Sequence, residues 1–150
     1  GRADRPGQVL VQTRYPENVS LFRLARHDFS GFVTAELDQR RLALCPPFVR
    51  FALLRAESPQ PAVSLEFFSV AARVGHRRLA GQASQAVRLM DPVPSPMERR
   101  AGRYRAQLLV TSHAHTPLHL FLDDWLCDLE GLKLGRSVRW SLDVDPMEMY

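Results

Sequence analysis

The sequence predicts an α/β protein of the α+β sandwich kind: a four-stranded, mostly antiparallel sheet with two helices on one face, in the order β-α-β-β-α-β. Three observations carry that expectation. Beyond Pro46-Pro47 the apolar residues switch repeatedly between strand-like alternation and helical spacing. Two stretches, one opened by Pro59-Gln60-Pro61 and one by Thr116-Pro117, each carry a single apolar stripe. Near the end Val138, Trp140, Leu142 and Val144 alternate as a half-buried strand.

Taken in order, Gln8-Val9-Leu10-Val11-Gln12-Thr13 reads as a short strand behind the breaker pair Pro6-Gly7, and Tyr15-Pro16-Glu17-Asn18 turns the chain away from it. Asp28 can cap a helix whose apolar positions Phe29, Phe32, Val33 and Leu37 follow helical spacing, before Cys45-Pro46-Pro47 stops it. The diproline is the predicted boundary, with residues 1–47 before it and 48–150 after. Val49 to Arg55 has strand composition, and the next helix sets Val63, Phe67, Val70, Ala71 and Val74 on one face until Gly75 ends it. A short strand, Val87 to Met90, leads through Pro92, Pro94 and Pro96 to a strand from Tyr104 to Val110. Lacking backbone donors, the proline segment is expected to lie beside the sheet as a semi-rigid arm. The second helix carries Leu118, Phe121, Leu122, Trp125 and Leu129 as its stripe.

A chain of 150 residues is long enough for one domain with a real core, and 45% apolar with 24% charged residues excludes wholesale disorder. Cys45 and Cys127 are isolated in apolar surroundings and read as reduced core thiols. No secretory leader and no membrane-length apolar stretch is legible, so an intracellular protein without a membrane role is expected. Catalytic motifs are missing too. The single lysine, Lys133, sits between Leu132 and Leu134, far from any Gly-rich phosphate loop, and there is no G-x-S-x-G elbow or H-E-x-x-H helix. The chain alone is therefore not expected to be an enzyme.

Charge is unevenly placed: residues 76–107 carry seven arginines against two acids, while 108–150 carry three basic residues against seven acids. The densest basic run is Arg99-Arg100-Ala101-Gly102-Arg103-Tyr104-Arg105-Ala106-Gln107. On a strand, Arg103, Arg105 and Gln107 share one face while Tyr104, Ala106, Leu108 and Val110 face the helices. Arg99 and Arg100, held on the proline arm, would border the same groove. Guanidinium forks match phosphate and carboxylate oxygens, so nucleic acid or an acidic peptide is the expected partner. The alternative is a solvated edge strand whose charges discourage aggregation. Other constellations carry less. His113, His115 and His119 lie within seven residues, and a metal-dependent enzyme would need the helix to begin a residue early, so that His115 and His119 share a face at metal-ligand spacing with Asp123 one turn on. Asp143 and Asp145 could bind Mg²⁺ or pair with neighbouring arginines.

Four blocks together resemble the C-terminal part of the PriA family of primosomal replication restart proteins. They are Gly1-Arg2-Ala3 with Pro6-Gly7-Gln8 through Thr13, then Leu44-Cys45-Pro46-Pro47-Phe48, then Pro92-Val93-Pro94 through Gln107, and finally Val138-Arg139-Trp140 through Pro146. Two positions depart from the family pattern: Asp91 stands where glycine is frequent, and Ala106 where an aromatic residue is common. The resemblance implies that residues 1–47 are the end of a RecA-like helicase lobe with a helical connector, and that 48–150 are a DNA- and partner-binding domain. Full-length members are ATP-dependent DNA helicases of superfamily two with a zinc insertion, so ATP with Mg²⁺ and zinc are implied for the whole protein and no cofactor for this chain. By the same resemblance the partners are branched and single-stranded DNA, the acidic, Phe-ended tail of the single-stranded-DNA-binding protein, and other primosome proteins in the bacterial cytoplasm at the nucleoid. Arg103 and Gln107 fall on the tail pocket, and Arg2 on a motif arginine facing ATP phosphates. Arg99, Arg100 and Arg105 are then the expected DNA contacts. The competing expectation is a basic, RNA-associated module of ribosomal type with no helicase connection.

Overall fold

The computed structural model of the chain describes residues 7–80 and 86–149. It falls into two compact units, one up to Ala43 and one from Leu44 onward.

In the first unit, helix α1 (Val19–Ala25) starts where the Asn18 side chain accepts a hydrogen bond from the Ser20 amide at 2.9 Å. Asn18 thus acts as a helix cap as well as closing the turn expected there. Helix α2 (Phe29–Leu42) is capped as predicted, with the Asp28 carboxylate accepting from the Gly31 amide at 2.9 Å. The strand expected over Gln8–Thr13 does not form: these residues have no ladder partner, and Val9 and Leu10 stay 86% and 87% exposed. Apolar alternation makes a strand only where a neighbour supplies the hydrogen bonds.

The second unit is the predicted sandwich with one strand more. Its elements are β1 (Arg50–Ser58), α3 (Pro61–Ala80), β2 (Val87–Leu89), β3 (Val93–Arg100), β4 (Arg103–Ser112), α4 (His115–Gly131) and β5 (Arg139–Val144), with a 3₁₀ turn at Lys133–Arg136. All strand pairs are antiparallel. The order is β2-β4-β1-β5, and β3 joins β4 beyond the end of β2. The proline segment is therefore a fifth strand and not a detached arm. It pairs Val93 with Gln107 and Arg100 with Arg103, and the ladder is irregular between Pro94 and Arg99, where Pro96 has no donor to offer. Ala101 and Gly102 close this hairpin with φ of 49° and 77°, the positive values that a two-residue turn of the favoured twist demands.

Alternation sorts the sheet into two faces. Ala52, Leu54 and Ala56 of β1 and Ala106, Leu108 and Val110 of β4 join the core beneath the helices. From α4 the whole predicted stripe, Leu118, Phe121, Leu122, Trp125 and Leu129, is buried. Cys127 was expected in the core but is exposed, because two positions past Trp125 on a helix lies outside that stripe. The helix also starts at His115, earlier than expected. Pro117 is tolerated in the first turn, whose amides lack helical acceptors anyway.

Gly75 was expected to end the first helix, yet α3 runs through it to Ala80. A side chain there would bring its Cβ within 2.9 Å of Leu89 Cδ2 and 3.2 Å of Trp125 Nε1. The glycine lets α3 approach β2 and α4 closely, which outweighs its poor helix propensity. Arg78 then ties the two helices together, donating from NH2 to Asp128 Oδ1 at 2.8 Å and lying 3.2 Å from Asp124.

The hydrogen bonds from Arg78, supported by its charge, hold the Asp128 carboxyl below its ordinary range. A carboxyl depressed in this way stabilises the fold above its unfolded pKa and loses the contribution as pH falls through the folded one. Asp128→Asn should lower the melting temperature at neutral pH by only roughly 2–4 °C, because the pair is partly solvated. The difference from the parent should vanish in acid, once Asp128 itself is protonated. Thermal melts across an acid titration check this.

Candidate anion-binding groove

The sheet face away from the helices is built by the odd positions of β1, β4 and β5. Register places Arg55 opposite both Gln107 and Ser141, and Glu57 opposite both Arg105 and Arg139. Cross-strand partners project to the same side, so the hairpin adds Arg100 beside Arg103. The result is a groove of about 510 Å³ whose charged lining is Arg55, Arg100, Arg103, Arg105 and Arg139 against the single carboxylate of Glu57.

Glu57 cannot neutralise that lining. It sits 3.9 Å from Arg103 and 3.7 Å from Arg139, both longer than a charge-assisted hydrogen bond. Among the described residues no carboxylate lies at ion-pair distance from Arg100 or Arg105. Arg55 is the exception: it donates to Asp143 at 2.7 Å and is largely covered. Like charges crowded on a concave surface favour an anionic ligand, which relieves their repulsion and offers the forks oxygen acceptors.

Of the residues singled out from sequence, Arg100, Arg103 and Arg105 come together in this groove. Gln107 follows on the same face of β4, but it is only 9% exposed and donates from Nε2 to the Met149 carbonyl at 3.2 Å. Arg99 does not join them. It pairs with Tyr104, on the other face of the hairpin, and its guanidinium lies 5.4 Å from the centre of that ring. Adjacent residues on a strand point to opposite sides, so Arg99 and Arg100 cannot serve one groove. Arg2 lies outside the described residues.

Arg55 and Arg139 escaped the sequence reading. Each sits in a recognisable strand, but only the pairing of β1 with β4 and β5 brings them to the basic hairpin, and no local pattern announces that pairing. The carboxylates at the end of β5 are ion-paired, Asp143 with Arg55 and Asp145 with Arg50 at 3.6 Å. His115 and His119 do stand one helical turn apart, with ring centres stacked at 3.9 Å. No group of three or more His, Cys, Asp or Glu side chains converges among the described residues. No helix among them is long and apolar enough to cross a membrane.

Comparison with known proteins places this chain in a family. The profile described as "Primosomal protein N C-terminal domain" matches residues 41–147. A protein named replication restart protein PriA from Haemophilus influenzae is 29% identical over 150 residues, covering 99% of this chain and 20% of that protein. Its namesake from Synechocystis is 30% identical over 151 residues, 99% of this chain and 17% of that protein. The one from Bacillus subtilis is 27% identical over 149 residues, 99% of this chain and 18% of the relative. This chain thus spans about a fifth of the length of these relatives. With the sheet unit matched almost end to end, the chain belongs to the family of the primosomal protein N C-terminal domain.

Proposed function

We propose that the sheet unit is the DNA- and partner-binding module of a replication restart protein. Its groove takes the phosphates of branched or single-stranded DNA through Arg100, Arg105 and Arg139. Arg103 meets a carboxylate of an acidic peptide, the tail of a single-stranded-DNA-binding protein, and Gln107 hydrogen-bonds that peptide's backbone. Arg99, stacked on Tyr104, flanks the hairpin and meets phosphates that run past its other side. The observation that carries the reading is the groove itself, where Arg100, Arg103, Arg105 and Arg139 face the single carboxylate of Glu57 and only Arg55 is already paired, with Asp143. The first unit, with Val9, Leu10 and Phe29 exposed, is read as the end of a helicase lobe whose remaining strands would cover them. The ATP-phosphate role that the resemblance implies for Arg2 falls outside the described residues, and ATP, Mg²⁺, zinc and other primosome partners are read as belonging to the full-length protein.

Fluorescence anisotropy tests the division of labour. Arg103→Ala should weaken capture of a labelled acidic peptide about tenfold, the worth of one charge-assisted contact, while changing affinity for a DNA fork by less than about threefold. Equal loss on both ligands, or none on either, overturns it. A preference for duplex RNA over fork DNA at matched salt would favour the RNA-associated alternative.

A further inference from the structure

The open face of the sheet is already crossed by the chain itself. At the end of β5 the Asp145 amide donates to the Phe51 carbonyl at 2.9 Å, and Asp145 takes a φ of 50°, which turns the backbone out of the strand. The chain then runs across its neighbours. Arg55 of β1 donates from NH2 to the Glu148 carbonyl, and Gln107 of β4 donates to the Met149 carbonyl. Two consecutive peptide carbonyls of an acidic, proline-containing segment are thus held by two cross-strand neighbours.

The fit is incomplete. Arg55 Nε and Gln107 Oε1 are both buried without a hydrogen-bond partner. Together they offer one donor and one acceptor, the complement of a single peptide unit. The crossing segment engages both side chains yet satisfies neither of these atoms, which is costly in a site that water does not reach. A peptide set slightly differently on the same two side chains would complete them.

We propose that Asp145–Met149 is an internal strap over the peptide-binding part of the open face, so that an acidic partner peptide gains Arg55 and Gln107 only by displacing it. This rests on the peptide reading above and adds its regulation. The strap and the partner share a chemistry, free backbone carbonyls flanked by carboxylates, so they compete for the same donors. While the strap is seated, affinity for the peptide is scaled down by the fraction of molecules in which the strap is open. The DNA-facing arginines, Arg100, Arg105 and Arg139, make no hydrogen bond to the strap and should not feel it.

The probe is a labelled peptide of about ten residues, rich in Asp and ending in a free Phe carboxylate. It is titrated into the full chain carrying ¹³C-methyl methionine. As the peptide saturates by anisotropy, the Met149 methyl signal should move to its position in the urea-unfolded chain, while Met90 stays in place. Replacing residues 146–149 by Gly-Ser-Gly-Ser should raise peptide affinity by roughly three- to tenfold and leave fork-DNA affinity unchanged. Peptide binding with the Met149 signal unmoved overturns the proposal. So does unchanged or weaker peptide binding in a replaced chain that still melts cooperatively. If the replaced chain fails to fold, the methyl titration of the parent decides alone. A peptide that binds neither chain defeats the peptide reading itself, and the strap proposal with it.

Discussion

Trp125→Ala should cost the sheet unit about 4 kcal/mol and lower its melting temperature by roughly 15–25 °C. Trp125 is fully buried between the two helices, its ring 5.4 Å from that of Phe121, and its indole N–H donates to the Ala71 carbonyl at 3.0 Å. Gly75 sits close against the same indole, so α3 lies against a surface that this side chain provides together with Leu89. Removing the ring forfeits its transfer free energy and leaves a void that two stiff helices cannot close. Trp125→Phe separates the contributions: most of the packing remains, the indole donor is lost, and the cost should be about 1–2 kcal/mol. Urea denaturation of the two variants beside the parent measures both. A Trp125→Ala protein within about 1 kcal/mol of the parent would mean that the core is organised around something else.

The second large effect concerns binding. Replacing Arg100, Arg105 and Arg139 together by alanine should flatten the dependence of log affinity on log salt for single-stranded DNA by about 2, since each lost phosphate contact removes roughly 0.7 from the slope. At low salt the affinity should fall by about two orders of magnitude. Folding should be nearly indifferent, because the one ion pair lost among the described residues is the 3.7 Å approach of Arg139 to Glu57. Anisotropy titrations at several salt concentrations, with a melt of each protein, check both statements. An unchanged slope would place the phosphates elsewhere on the molecule.

How much of this was legible beforehand follows the range of the interactions involved. The stripe on α4 and the alternation of β4 are local periodicities, and every residue read into the core from them is buried except Tyr104, which is half-exposed at the hairpin end. That same alternation correctly set Arg103, Arg105 and Gln107 on the face opposite the core. Misreadings came where a residue's meaning depends on what stands across from it. Gly75 resembles a helix stop until Leu89 and Trp125 are beside it. The proline segment resembles an arm until Ala101-Gly102 folds it back onto β4, and Gln8–Thr13 resembles a strand although nothing pairs with it. Arg55 and Arg139 enter the groove through long-range register alone.

Strand β4 writes two messages on alternate residues, with Ala106, Leu108 and Val110 on one side and Arg103, Arg105 and Gln107 on the other. Inserting or deleting one residue in its middle would turn the message beyond that point upside down, driving guanidinium groups into the interior and leucines into water. Length changes within β4 are therefore closed to this domain as a route to new ligands. Its preferences can drift only by exchange of side chains at fixed positions, or by remodelling of the hairpin tip where the ladder already ends.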